Sequence, residues 1–194
     1  MDIIKKLKDY QPMDWRSTTG KSTEVARNED SPSKEVFDWR FAIEDVQQSA
    51  LPPFPGFMRI FSVLEGTVAD VVINSQFENT LKIYEHVRVD ADSVTAVSLP
   101  LGPVKDLSLL YNDDLYTGAY QWCDVGLEPK TFTSMADTLL IFCAAPKITV
   151  QRTGDIPKPL DNYDTYITAG GQEITIAGFL PTDHACVVEL FRNA

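Results

Sequence analysis

The sequence predicts an all-β protein, a barrel or sandwich of antiparallel strands, and three observations carry the prediction. Short apolar runs rich in Val, Ile, Phe, Tyr and Thr recur along the chain, each interrupted by Gly, Pro, Asn or Asp. No helical pattern of roughly 10 to 15 residues recurs between them, which disfavours βαβ units and a parallel sheet. Ile167-Thr168-Ala169 and Gln172-Glu173-Ile174 flank Gly170-Gly171, the spacing of a tight hairpin.

Taken in order, the chain opens with Ile3, Ile4 and Leu7 against Lys5, Lys6 and Lys8, which reads as a short N-terminal helix with a wet basic face. Gly20-Lys21-Ser22-Thr23 looks like the end of a phosphate-binding loop. The glycine required five residues earlier is Trp15, so the match fails and the segment reads as a loop. Alternation then places Trp39, Phe41 and Ile43 on an apolar face and Arg40, Ala42 and Glu44 on a polar one. Strands are expected at 58–64, 68–73, 86–89, 94–99, 104–111 and 117–122, and again at 138–144, 147–151, 164–169, 172–177 and 185–191. Arg59 shares a face with Phe61 and Val63, so it must meet a carboxylate or lie at a mouth open to water and anions.

The 194 residues, 44% of them hydrophobic, read as a single domain, 1–194, because no long Gly, Ser or Pro stretch divides them. A formal charge of -11 repels phosphate backbones and argues against a nucleic-acid partner. The opening segment fits neither an export signal nor a membrane span. Cys123, Cys143 and Cys186 form no Cys-x-x-Cys pair, which suggests reduced thiols and a cytoplasmic location. Cys143, within Leu139-Leu140-Ile141-Phe142-Cys143, reads as a small buried apolar side chain.

His86 and His184 stand alone, so neither a metal site nor another cofactor is expected, and Asp90, Asp92 and Asp183 read as solvated loop residues. No Gly-x-Ser-x-Gly elbow marks a nucleophile. Glu24, Glu44, Glu65 and Asp106 are candidates for acid-base work, and spacing does not say which converge.

Three stretches go beyond strand and turn statistics. Trp15-Arg16-Ser17-Thr18-Thr19-Gly20-Lys21-Ser22-Thr23-Glu24-Val25 is the first. The second is Phe37-Asp38-Trp39-Arg40-Phe41-Ala42-Ile43-Glu44, followed by Phe54-Pro55-Gly56-Phe57-Met58-Arg59 and Leu64-Glu65-Gly66. The third is Gly102-Pro103-Val104-Lys105-Asp106-Leu107-Ser108. Together they resemble the HutD/Ves family of bacterial cupin-type proteins, with Ser17, Met58 and Ser108 standing where the family has Asn, Asp and Asn. The resemblance implies a cupin-like double-stranded β-helix barrel, a bicupin with residues of about 10–111 as the first half and 112–194 as a divergent second half. It also implies a link to histidine utilisation and no settled enzyme activity.

Carried over residue by residue, the resemblance singles out Arg59, Asp106, Ser108, Glu24 and Arg40. Trp39, which also matches, reads as core. Arg40 reads either as an ion pair with an acid of a neighbouring strand or as a pocket residue. Arg59 with Ser22 and Ser108 inside a barrel would grip a small carboxylate. The leading expectation is therefore a metal-independent binding protein for a small organic acid that regulates histidine or amino-acid catabolism. The alternative is a metal-independent isomerase or hydrolase acting on a small carboxylate, with Glu24 or Asp106 as base beside Arg59. A third is a homodimer formed through the outer sheet.

Overall fold

The computed structural model describes residues 2–13, 21–28, 36–46, 49–51 and 54–194. Its contacts divide the chain into two compact units, Tyr10–Leu115 and Tyr116–Ala194, the latter including the chain up to Asp9.

The expected N-terminal helix is not formed. Ile3–Lys5 is a strand, β1, followed by a single 3-10 turn at Leu7–Asp9. A helix this short is marginal in water, whereas β1 gains a hydrogen-bonded ladder against residues 165–167 and places Ile4 against the core of its unit.

The Tyr10–Leu115 unit contains β2 (Gln11–Met13), β3 (Ser22–Arg27), β4 (Trp39–Val46), β5 (Ser49–Leu51) and β6 (Phe57–Glu65). It continues with β7 (Val68–Ile73), β8 (Phe77–Lys82), β9 (His86–Val89), β10 (Thr95–Ser98) and β11 (Val104–Asn112). One sheet runs β2-β3-β4-β11-β6-β9 and the other β5-β10-β7-β8. Ser22 and Thr23, expected in a loop, open strand β3, because Ser22–Glu24 and the following residues pair along the whole edge of β4.

The other unit adds β12 (Tyr116–Asp124), β13 (Lys130–Ser134), β14 (Thr138–Cys143) and β15 (Lys147–Arg152). After these come β16 (Lys158–Asp161), β17 (Thr165–Thr168), β18 (Gln172–Ala177) and β19 (His184–Arg192). Its sheets run β1-β17-β14-β19-β12 and β13-β18-β15-β16.

Counting eight strands from β4 and eight from β12, both units repeat one order. The first, eighth, third and sixth strands share a sheet, and the second, seventh, fourth and fifth share the other. This is the double-sheet order of two Greek keys. Each pair of sheets encloses its own core. Phe61, Val63 and Val87 meet Val71, Leu81 and Val97 in one unit; Leu139, Ile141 and Tyr166 meet Ile148, Leu160 and Ile176 in the other.

Two expectations fail on this topology. Among the described residues no closed barrel is found, because the strands of each unit divide between two separate ladders. The Gly170-Gly171 hairpin is likewise not one: β17 and β18 belong to opposite sheets, and the pair carries the chain from one to the other. The backbone there is held across the turn, Gly170 N donating to Ala136 O at 2.8 Å and Gly171 N to Ser134 O at 2.7 Å.

Candidate functional site

Residues directly opposite one another on neighbouring strands project from the same face. Following the register across β3, β4, β11 and β6 gives three rows. Ser22, Glu44, Asp106 and Val63 form the first; Glu24, Ala42, Ser108 and Phe61 the second; Arg27, Arg40, Leu110 and Arg59 the third. Phe61 and Val63 belong to the core shared with the second sheet, so this is the inner face of the unit. All six residues singled out from the sequence, Ser22, Glu24, Arg40, Arg59, Asp106 and Ser108, therefore stand on one inner face. Acids lie toward one end, arginines toward the other, and the small Ala42 and Ser108 lie between.

Arg40 is the hub of the buried end, with 1% of its surface exposed. It donates to Ser22 Oγ, and Ser22 in turn donates to Glu44 Oε1 at 3.2 Å. Its guanidinium also lies 3.6 Å from Glu24 and 3.8 Å from Glu44. Burial pulls the Arg40 pKa down, opposed by the charges of Glu44 and Glu24. Arg40 is thus ion-paired to Glu24 of the neighbouring strand and to Glu44 of its own strand, and it faces the interior.

Arg27, which alternation within β3 does not place on this face, joins it through a β-bulge between Glu24 and Ala26. Its Nε donates to Glu24 Oε1 at 2.8 Å and its Nη2 lies 2.7 Å from Glu24 Oε2. Arg27 is the site residue that sequence reasoning misses, and Glu44, named only as one of several acids, is the second. Strict alternation with Arg40 and Ala42 is the signal that places Glu44; the bulge leaves none for Arg27.

Asp106 is 3% exposed, and its Oδ1 has no hydrogen-bond partner among the described residues. Burial pushes its carboxyl well above the usual range, the adjacent Glu44 charge pushes it further, and Arg59 and Arg40 only partly oppose this. Arg59 is partly exposed and makes no hydrogen bond or ion pair among the described residues. No carboxylate within ion-pair distance answers Arg59 among the described residues. The face therefore combines a buried carboxyl of raised pKa with a partly exposed guanidinium, while Arg27 and Arg40 are matched by Glu24 and Glu44.

Other expectations resolve individually. Trp15 and Gly20 lie outside the described residues. Gly56 and Gly102 have φ of 78° and 101°, the left-handed region in which glycine carries no Cβ penalty. Trp39 and Cys143 are buried, as read. Asp90 and Asp92 are exposed, but Asp183 is not a solvated loop acid: it is 1% exposed and its Oδ2 accepts from Phe179 N at 2.7 Å and Leu180 N at 2.9 Å. Among the described residues no group of three His, Cys, Asp or Glu side chains is arranged to hold a metal ion. Among the described residues no helix is long and apolar enough to cross a membrane. A cleft of about 750 Å³ opens between β12 and β13, lined by Trp122, Cys123, Lys130, Phe132 and Glu189, and it takes in none of the singled-out residues.

Comparison with known proteins aligns with this architecture. A family model described as HutD matches residues 7–183. An uncharacterised 21.2 kDa protein of the hutC 3' region of Pseudomonas putida is 26% identical over 189 residues, covering 97% of this chain and 96% of that one. The structure of HutD from Pseudomonas fluorescens SBW25, described as in a formate condition, superposes with a TM-score of 0.85 at 25% identity over the full length of both chains. Vicilin from Capsicum annuum superposes at a TM-score of 0.66 and 10% identity, covering 97% of this chain and 85% of that one. That likeness shows the fold alone, which is cupin-like.

Proposed function

The chain belongs to the HutD family, and from that premise we propose that it is a binding protein for a small organic acid, with a regulatory role in histidine or amino-acid catabolism. The observation that carries the proposal is Arg59. It is a partly exposed guanidinium on the inner face of the Tyr10–Leu115 unit, its side chain free of ion pairs among the described residues, on the same face as the buried Asp106 carboxyl whose pKa is raised. A guanidinium fork matches a carboxylate in two parallel hydrogen bonds, and Asp106, whose raised pKa favours the protonated form, offers a donor whenever it holds its proton. The small Ser108 leaves room between them and contributes a hydroxyl.

The wider reading has matching support. The strand order repeated in the two units supports a bicupin, with the first unit holding the site. Unpaired thiols at Cys123, Cys143 and Cys186 suit a reducing compartment such as the cytoplasm. Recognition by this set of side chains requires no metal.

A second reading rests on Asp106 alone. A buried carboxyl of raised pKa is suited to proton transfer, which favours an isomerase or hydrolase with Asp106 as the acid-base group. Glu24 is the weaker candidate for that role, since Arg27 holds both of its oxygens.

The test is a thermal-shift screen of the wild type and Arg59→Ala against formate, urocanate and formylated amino acids. Wild type responds to at least one compound and Arg59→Ala does not. Equal responses in both would put the site elsewhere. Turnover of a responding compound that Asp106→Asn abolishes would establish the enzymatic reading instead.

A further inference from the structure

The other unit contains a complete carboxylate receptor that is already filled. Asp2 lies just before β1, and its side chain turns into the unit, where four donors from three strands converge on it. Arg152 Nη1 donates to Oδ1 at 2.6 Å and Thr168 Oγ1 to the same oxygen at 2.8 Å. Lys158 Nζ donates to Oδ2 at 2.8 Å and Tyr166 OH to that oxygen at 2.6 Å. Each oxygen thus receives one cationic and one hydroxyl donor, an arrangement suited to the two equivalent oxygens of a carboxylate.

The donors are held independently of Asp2. Arg152 is oriented by Gln172, whose Oε1 accepts from Nε at 3.0 Å, and the Lys158 ammonium sits 5.3 Å from the centre of the Tyr166 ring. Tyr166 is buried in the core and Thr168 is 4% exposed, both on β17, which is paired on its far side to β14. Asp2 itself lies outside the β1–β17 ladder, whose partners are Ile3–Ile167, Ile4–Tyr166 and Lys5–Thr165. Its side chain can therefore withdraw without breaking a backbone pair, leaving two cations and two hydroxyls aimed at the space of one carboxylate.

We propose that Arg152, Lys158, Tyr166 and Thr168 form a second binding site, for a small monocarboxylate, and that Asp2 is its resident intramolecular ligand. Burial works against the Asp2 charge, but the hydrogen bonds from Lys158, Tyr166, Thr168 and Arg152 outweigh it and hold the carboxyl well below its ordinary range, consistent with a site built for the ionised form. This site uses no residue of the Arg59 face and stands whether or not that face binds anything.

The experiment is chemical rescue in an Arg59→Ala background, so that ligand bound in the first unit makes no contribution. In Asp2→Ala, sodium acetate at tens of millimolar raises Tm by about 2–4 °C over sodium chloride at equal ionic strength. With Asp2 in place acetate gives no such rise, and in Asp2→Ala with Arg152→Gln the rise is lost. If Asp2→Ala does not fold in chloride, recovery of near-UV circular dichroism on refolding into acetate takes the place of the Tm shift. The absence of an acetate-specific effect in either form, or a rescue that survives Arg152→Gln, would overturn the proposal.

Discussion

Asp106 on β11 and Glu44 on β4 are direct cross-strand partners, two carboxylates side by side on a buried face. Glu44 accepts from Ser22 and lies 3.8 Å from Arg40, whereas Asp106 is met by a backbone hydrogen bond at Glu44 and its Oδ1 has no partner among the described residues. Burial and the neighbouring Glu44 charge together raise the Asp106 pKa.

A pH dependence follows from Asp106. Its folded pKa lies above the ordinary 3.8, so within the window between those values the native state holds a proton that the unfolded chain has released. Its contribution to stability is complete below pH 3.8 and declines as pH rises through the window, by up to about 1.4 kcal/mol per pH unit. Asp106→Asn removes this slope and gains stability relative to wild type at pH 7. Urea unfolding at several pH values reads both effects, and an unchanged slope would mean that Asp106 is ionised in the folded protein.

Arg40 holds two acids at the buried end of the face. Arg40→Met removes the charge while keeping much of the apolar stem, leaving Glu44 without a cation and Glu24 with Arg27 alone. The expected cost is about 3–5 kcal/mol, the usual consequence of stranding a buried charge. Arg40→Lys is also destabilising, since an ammonium does not reproduce the fork. Equilibrium denaturation measures both; a loss under about 1 kcal/mol would show that the acids take up protons or water without difficulty.

Gly170 tests the passage between sheets. A Cβ built there would lie 2.5 Å from Ser134 O, 2.7 Å from Ala136 N and 2.8 Å from Ala136 O, all of them backbone atoms that do not yield as a side-chain tip would. Gly170→Ala should cost about 1–3 kcal/mol or more by overpacking. Gly171, at φ 92° with open space around its Cβ position, is constrained by conformation alone. Thermal unfolding of Gly170→Ala and Gly171→Ala should therefore place the Gly170 variant lower.

The thiols divide by burial. Burial pushes Cys143 up to about 12, and Cys186, fully buried, is raised as well. Cys123 is raised less strongly and lines the open cleft. Iodoacetamide at pH 8 should label Cys123 alone and slowly in the folded protein, and all three after unfolding in urea, as read by peptide mass spectrometry.

Much of the architecture was legible because it is written in local pattern. The strands at 68–73, 86–89 and 172–177 match their sequence boundaries, since alternation and flanking turn residues are visible within a few positions. Period-2 alternation grouped Arg40 with Glu44 and Arg59 with Phe61 for the same reason. Where a local pattern had two solutions it misled: Ile3, Ile4 and Leu7 suit a helix face and also an added strand, and the free edge of β17 decided for the strand. Gly170-Gly171 suits a hairpin and also a crossing between sheets.

By itself the sequence determined the all-β class and which face each side chain takes along an unbroken strand. Tertiary structure alone decided which strands are neighbours, and hence that Glu44 meets Asp106 and that the Glu24–Ala26 bulge turns Arg27 inward. It alone joined Asp2 to Arg152, Lys158, Tyr166 and Thr168, some 150 or more residues away in the chain. The physical reason is common to all of these. Alternation reports only the orientation of a side chain relative to its own strand, whereas a site is made by register between strands, and register is set by long-range pairing and by bulges that leave no periodic trace.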